Sequence, residues 1–447
     1  MAGVRILAAA LLAVSALGCA GAPGAAEAVS PVASVSGLGA AVAPASDLPI
    51  PPVPPMPAIP ELPGLGNPPV PDEDPFYRPP DRLGSYRPGA LLRSRSVTVL
   101  GLTSLASVKA YQLLYRTTDA TGHPVATVTT LMLPTLPAPG PRKLVSYHTA
   151  EDSLTTRCAP SYTLRTGGGT TQSVESALIT PLLAHGWDVV VPDYQGPRSE
   201  WAVGAMAGHA ALDSVRAAEQ FRPAGLDGHR TPVGMMGYSG DSIPTAWANS
   251  MAEDYAPELN LVGVAAGGIP ADVKQSLPTI DGSPFFGAIA VTIAFDRAYP
   301  SLELDSLLTE RGKDFAEQAA HDAYGCAGAI TAAPFGRLDQ YTRYRDTSAL
   351  LDVPRVRRTM DRISLLGRAR QKAPAYFYNA IHDELIVISQ VDDLVKENCA
   401  DGATIQYVRD PVGGHITGAG AYAAPAINYL ADRFAGRHAP NTCRDRR

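Results

Sequence analysis

The chain has 447 residues, 45% of them hydrophobic, enough to bury a large core in one domain or two. Its net charge of -6 and pI near 5.9 carry no basic footprint, so nucleic acid is not an expected partner.

The chain opens on an export signal. Arg5 supplies the positive end, residues 6–17 the apolar stretch, and Gly18-Cys19-Ala20-Gly21-Ala22 the small residues that follow. The apolar stretch is short for a membrane span, so no transmembrane segment is expected in the mature protein. Two fates fit residues 1–28. Cleavage near Ala22 or Ala28 gives a secreted protein. Lipid attachment at Cys19 gives a cell-surface one, because Leu17-Gly18-Cys19 resembles a bacterial lipoprotein site, although the leucine lies one position too close. Residues 29–73 then form a linker, rich in Ala, Ser and Gly before a proline run that favours extended polyproline II and cannot pack a core.

The folded region is expected over 74–447. Residues 111–118, 125–133 and 143–149 are rich in Val, Thr, Tyr and Leu and read as strands. Strands then alternate with helices: a helix over 174–185, a buried strand over 187–192, a helix over 207–221, and strands over 233–238, 261–266, 375–380 and 404–408. This alternation predicts an α/β fold with a mostly parallel sheet and helices on both faces. The rhythm breaks over about 272–370, where helical patterns such as 302–320 appear without a clear strand. That stretch reads as a helical cap inserted before the next sheet strand.

The run Val233 to Tyr238 feeds Gly237-Tyr238-Ser239-Gly240-Asp241, followed by a helix-compatible stretch with Pro244 in its first turn. Strand, sharp turn and helix around G-x-S is the pattern of a nucleophile elbow, which lifts a serine hydroxyl to the N-terminus of a helix. One position departs from it, since the last glycine of G-x-S-x-G is Asp241. That substitution predicts a displaced helix or a small facing residue, and a charge suited to the helix N-terminus.

A serine nucleophile needs a base and an orienting acid, and in this fold type the acid and then the histidine follow the serine. Only His321, His382, His415 and His438 come after Ser239. His321 falls in the cap and His438 in the tail, whereas His415 follows Gly413-Gly414 between the last strand and last helix. Asp383 follows the strand at 375–380 and is the expected acid, with Glu384 its neighbouring rival and His382 a structural residue. The N–H of Gly240 should supply one oxyanion donor. The second should come from the loop around His148 to Asp152, where the residues alone do not select one. Asp193 follows a strand but precedes the serine, which favours a structural loop role.

Without Cys19, four cysteines remain, Cys158, Cys326, Cys399 and Cys443; in an exported chain they suggest two disulfides with three pairings open. No CxxC or histidine cluster suggests a metal, and no cofactor is expected.

Taken together, Asp74-Pro75-Phe76-Tyr77, Glu151-Asp152 ahead of Cys158-Ala159-Pro160-Ser161-Tyr162, Asp193-Tyr194-Gln195-Gly196, residues 212–217, Gly237-Tyr238-Ser239-Gly240, His382-Asp383-Glu384 and Gly414-His415 resemble the secretory lipase family. Lipase A of the Candida antarctica type and many secreted actinobacterial lipases belong to that family. The resemblance spans about 74–443 and implies an α/β-hydrolase fold. It implies Ser239 as nucleophile, His415 as base, Asp383 as orienting acid, Asp152 with Gly240 as the oxyanion hole, and disulfides Cys158–Cys326 and Cys399–Cys443. The expected function is a secreted ester hydrolase, a triacylglycerol lipase acting on lipid esters at a lipid–water interface. The alternatives are a short-chain esterase, a cell-envelope acyl hydrolase or acyltransferase, and a non-catalytic envelope protein. Phe285, Phe286, Ile289, Val291, Ile293 and Phe295 are candidates for an acyl tunnel under the cap or for plain cap core.

Overall fold

The structure, a computed structural model, describes residues 68–100, 108–167, 170–282, 288–321, 337–368 and 370–443; side chains are not described at 170–175, 288–289 and 318–321. Among the described residues nine strands form one sheet: β1 (Leu91–Val97), β2 (Val108–Thr118), β3 (Pro124–Pro134), β4 (Leu144–Tyr147), β5 (Asp188–Pro192), β6 (Val233–Tyr238), β7 (Leu261–Gly267), β8 (Ala375–Ala380) and β9 (Ile405–Asp410). Their order across the sheet is β1-β2-β3-β5-β4-β6-β7-β8-β9. The first four neighbours pair antiparallel, and every pair from β5–β4 onward is parallel.

The parallel half explains its own sequence. Strands covered on both faces cannot alternate apolar with polar residues, and β4, β5 and β8 are buried at every position. Helices α1 (Pro160–Thr166), α2 (Thr170–Ala184), α3 (Gly204–Gln220), α4 (Ser242–Tyr255), and, after β8, α11 (Ile388–Ala400) and α12 (His415–Phe434) supply the covers. Side chains from α3 and α4, including Met206, Leu212, Ile243 and Trp247, fill one core with Leu144, Val190 and Met235. Side chains from α2 and α12, including Leu182, Ile427 and Leu430, fill the other with Val145, Val189 and Met236. Alternate residues of one strand thus reach opposite cores.

β1 is the strand that the sequence pattern misses. It is an edge strand with Arg93, Ser94 and Ser96 turned toward solvent or half-buried, paired to β2 through an irregularity at Leu91/Arg93. Charged side chains on an edge discourage pairing with other chains and also blur the alternation that marks a strand.

Between β7 and β8 the chain forms α5 (Val273–Ile280), α6 (Ala288–Ala298), α7 (Glu310–His321), α8 (Leu338–Tyr341), α9 (Thr347–Leu351) and α10 (Pro354–Ile363). Among the described residues of this stretch the only strand-like feature is an isolated bridge, Leu308 to Thr342. The single helix expected over 302–320 is instead broken. Two 3-10 turns, Pro300–Leu302 and Leu304–Ser306, flank Glu303 at φ 52, a left-handed conformation that no α-helix accommodates. Val291, Ile293 and Phe295 are buried in the hydrophobic core, while Phe285, Phe286 and the side chain of Ile289 lie outside the described residues.

Cys399 at the end of α11 is bonded to Cys443, with Cα atoms 5.2 Å apart. Thr442 braces the same strap, accepting from Tyr407 N–H at 3.0 Å and donating to the Ile405 carbonyl at 3.1 Å, which lays the C-terminal segment along β9. Cys158 is also disulfide-bonded, and Cys326, its expected partner, lies outside the described residues. Residues 1–67, with Cys19 and the leader, lie outside them too.

The Cys399–Cys443 bond closes a sequence separation of 44 residues. Replacing both cysteines by alanine should lower unfolding free energy by about 4 kcal/mol in the chain-entropy treatment, read as a lower denaturant midpoint with a steeper slope, because the unfolded chain is no longer cross-linked.

Candidate active site

The carboxyl ends of β6, β8 and β9 bring three side chains together. β6 runs directly into Ser239, whose φ of 58 is left-handed and strained for a residue with a side chain. The turn is held from below. A Cβ on Gly237 would lie 2.2 Å from the carbonyl oxygen of Asp241 and 2.9 Å from Thr245 Oγ1, so α4 can start this close only over a glycine. Ser242 Oγ donates to the Ser239 carbonyl at 2.5 Å. His148, fully buried, lies 2.6 Å from Thr245 Oγ1 and 3.1 Å from Ser146 Oγ. Burial pushes its pKa down to about 3, so a neutral imidazole ties β4 to α4.

His415 is the first residue of α12 rather than a residue of the loop before it. Its Nε2 lies 2.7 Å from Ser239 Oγ, and its Nδ1 lies 2.9 Å from each carboxylate oxygen of Asp383. With Nδ1 protonated toward the carboxylate, Nε2 is left to accept the serine proton. Asp383 is itself fixed by the N–H groups of Leu385 and Ile386, which donate to Oδ1 at 2.9 and 2.7 Å. Both residues are buried, His415 to 3% and Asp383 to 7% exposure, which keeps competing water off the chain of bonds.

Glu384, the rival acid, does not face the imidazole ring through any described bond. Its Oε2 accepts from the backbone N–H of His415 at 2.9 Å. Tyr238 OH donates to the His415 carbonyl at 2.5 Å, so the histidine's backbone is held from both sides. His382 and His438 are exposed, and the side chain of His321 lies outside the described residues.

Asp152 meets Gly240 across the elbow. A Cβ at 240 would sit 2.1 Å from Asp152 Oδ1, so glycine is required there. Asp152 has a left-handed φ of 30. Its Oδ1 is buried without a hydrogen-bond partner, and the Trp201 indole bonds its carboxyl. Burial pushes the Asp152 pKa up to about 6, against the pull of Trp201 and His415. The backbone N–H of Asp152 is occupied. With its amide turned to satisfy both partners, Gln195 accepts from that N–H at 3.0 Å and donates to the Ser153 carbonyl at 2.7 Å.

Asp193 anchors α1, accepting from Ser161 N–H at 2.8 Å and Ser161 Oγ at 2.6 Å, and burial pushes its pKa up to about 7. Asp241 departs from both sequence expectations about its surroundings. The facing residue is large: the buried Tyr194 donates its hydroxyl to Asp241 Oδ1 at 2.9 Å. The close approach of helix to strand is taken at Gly237 instead, which leaves position 241 free to carry a side chain. Tyr194, Gln195 and the backbone-holding role of Glu384 escaped the sequence reading. The one signal for the first two was the Asp193-Tyr194-Gln195-Gly196 run directly after β5.

Among the described residues no group of three or more His, Cys, Asp or Glu side chains is placed to hold a metal, and no helix is long and apolar enough to cross a membrane.

A profile of the family described as secretory lipase matches residues 163–442. The chain is 34% identical over 382 residues to a protein of Mycobacterium tuberculosis named a probable inactive lipase, with 83% of this chain and 84% of that one covered. It is 32% identical over 382 residues to lipase A of Moesziomyces aphidis, covering 82% and 81%. The X-ray structure of Candida antarctica lipase A matches with a TM-score of 0.77 at 29% identity, covering 85% of this chain and 89% of that chain.

Asp241→Gly strands the buried Tyr194 hydroxyl without its acceptor. Denaturant titration should record a loss of about 1–3 kcal/mol, while ester turnover stays within a few-fold, since the bonds among Ser239, His415 and Asp383 do not involve position 241.

Proposed function

This chain belongs to the secretory lipase family, and on that footing we propose that it is an exported carboxylic ester hydrolase, a triacylglycerol lipase working through Ser239, His415 and Asp383. The observation that carries the reading is the unbroken hydrogen-bonded line from Ser239 Oγ through His415 to Asp383, with the serine at a left-handed turn at the head of α4. A relative from Malassezia globosa is named a secreted triacylglycerol lipase, which supports both the acylglycerol substrate and export. Export then proceeds by cleavage near Ala22 or Ala28, or by lipid attachment at Cys19.

In this mechanism Ser239 Oγ attacks the ester carbonyl as its proton passes to His415 Nε2. Asp383 holds the Nδ1 proton and stabilises the imidazolium that forms. The carbon–oxygen bond to the alcohol breaks as His415 returns the proton to the leaving oxygen, and the acyl group stays on Ser239. Water then attacks the acyl-enzyme with His415 again as base, releasing the fatty acid and restoring the serine.

The developing oxyanion takes the N–H of Gly240 and a second donor from Asp152. Because Gln195 engages the Asp152 N–H, the carboxyl group is the part of Asp152 left to donate, and it can do so only when protonated. A pKa raised to about 6 means that this donor is present below that pH and lost as pH rises through it.

The M. tuberculosis relative's name supports a second reading, a protein that keeps the fold without turnover. One experiment separates the readings. A fluorophosphonate probe should label the wild type at Ser239, and emulsified long-chain triacylglycerol should be hydrolysed in preference to soluble short-chain esters. Ser239→Ala should abolish both labelling and hydrolysis with an unchanged circular dichroism spectrum. A wild type that resists the probe would overturn the enzyme, and a preference for short soluble esters would leave an esterase.

For the oxyanion donor, Asp152→Ala should lower kcat by about 10²–10³. Asp152→Asn keeps a donor at every pH. It should retain much more activity and lack the fall in kcat/KM that is expected of the wild type as pH rises through about 6.

A further inference from the structure

At the opposite end of the sheet from Ser239, the entrances to β7, β8 and β9 border a cleft of about 460 Å³ lined by Val262, Pro374, Thr404, Arg433, Arg437, His438 and Asn441, among others. Arg433 stands out there. It is only 6% exposed, yet its guanidinium makes one described hydrogen bond, from Nη2 to the His438 carbonyl at 2.8 Å. Its Nε and Nη1 are buried with no acceptor, and none of the described carboxylates lies within ion-pair reach of it. The Tyr429 ring, 5.0 Å away, and the C-terminal end of α12 offset part of the charge. The nearest acidic neighbour in sequence, Asp432, is paired with the exposed Arg437 instead. A buried cation is normally matched by an anion, because leaving it unpaired costs several kcal/mol.

We propose that this basal cleft is a binding site for a small oxyanion, the phosphate or carboxylate head group of a ligand, held by the buried Arg433 guanidinium. The remaining wall fits such a guest. Asn441 and His438 bring polar groups, and among the described residues no acidic side chain lines the cleft. The wall on that side is the strap closed by Cys399–Cys443 and braced by Thr442, so a bound anion clamps the C-terminal segment onto the sheet. Ser239, Asp383 and His415 sit at the carboxyl ends of their strands, whereas the cleft opens at the amino ends. Occupancy should therefore change stability and not turnover.

The test uses the full purified chain and inorganic phosphate, with acetate and sodium chloride at matched ionic strength. Thermal melts of the wild type should rise saturably with phosphate or acetate beyond the chloride control. The anion that saturates at lower concentration identifies the head group. Arg433→Met should weaken that apparent affinity about tenfold or more. Asn441→Asp is the second variant, chosen because its carboxylate keeps the bond that Asn441 Oδ1 accepts from Cys443 N–H while placing a negative charge in the cleft. It should melt higher than wild type without added anion and no longer respond to phosphate or acetate. The site is refuted by melts that follow ionic strength alone, or by a phosphate or acetate response that Asn441→Asp leaves intact.

Discussion

The turn from β6 into α4 is the constraint around which the rest is arranged. Helix and strand approach so closely at Gly237 that a single methyl group would strike the Asp241 carbonyl, and Ser239 pays for that approach with a left-handed backbone. What keeps the strained residue in place is the bond from Ser242 Oγ to its carbonyl together with the packing beneath it. The buried neutral His148 joins the centre of the sheet to Thr245, and both β4 and β6 are closed in by helices on either side. Only with the hydroxyl fixed in this way do the 2.7 and 2.9 Å distances to His415 and Asp383 have meaning.

Around the serine lies a group of carboxyls whose pKa values run upward, Glu151, Asp152 and Asp193, each driven first by burial. The fold tolerates them because hydrogen-bond donors reach them: Ser161 for Asp193, Trp201 for Asp152 and the Gln195 backbone for Glu151. Asp241 is satisfied in the same manner by Tyr194. The result is a set of acids that hold their protons more tightly than exposed carboxyls do, and so bring less negative charge toward an oxyanion than ordinary carboxylates would.

Much of this was legible in sequence because it is local. Gly237-Tyr238-Ser239 after an apolar run, Asp383 three residues after β8 and His415 behind two glycines are each read from a dozen neighbouring residues. Features that depend on distant partners were not legible. Tyr194 and Asp241 are 47 positions apart, and nothing near either one announces the other. Glu384 looked like a competing acid because sequence gives proximity without direction, and its carboxylate turned to the backbone of His415. β1 was hidden by its exposed edge, and the helix expected over 302–320 was broken by one left-handed residue, Glu303, whose conformation has no signature in an acidic side chain.

The helix α12 runs 20 residues from His415 to Phe434, so it is about 30 Å long. His415 stands at one tip and Arg433 one residue short of the other. The imidazole therefore belongs to a helix that leads from the carboxyl ends of the strands to the cleft at their amino ends, where Arg433 bonds the His438 carbonyl ahead of Cys443. The helix fixes where the histidine backbone starts, while the direction of the ring is set locally, by Asp383 on its Nδ1 and by Glu384 and Tyr238 on its backbone, so the two ends of one helix serve separate tasks.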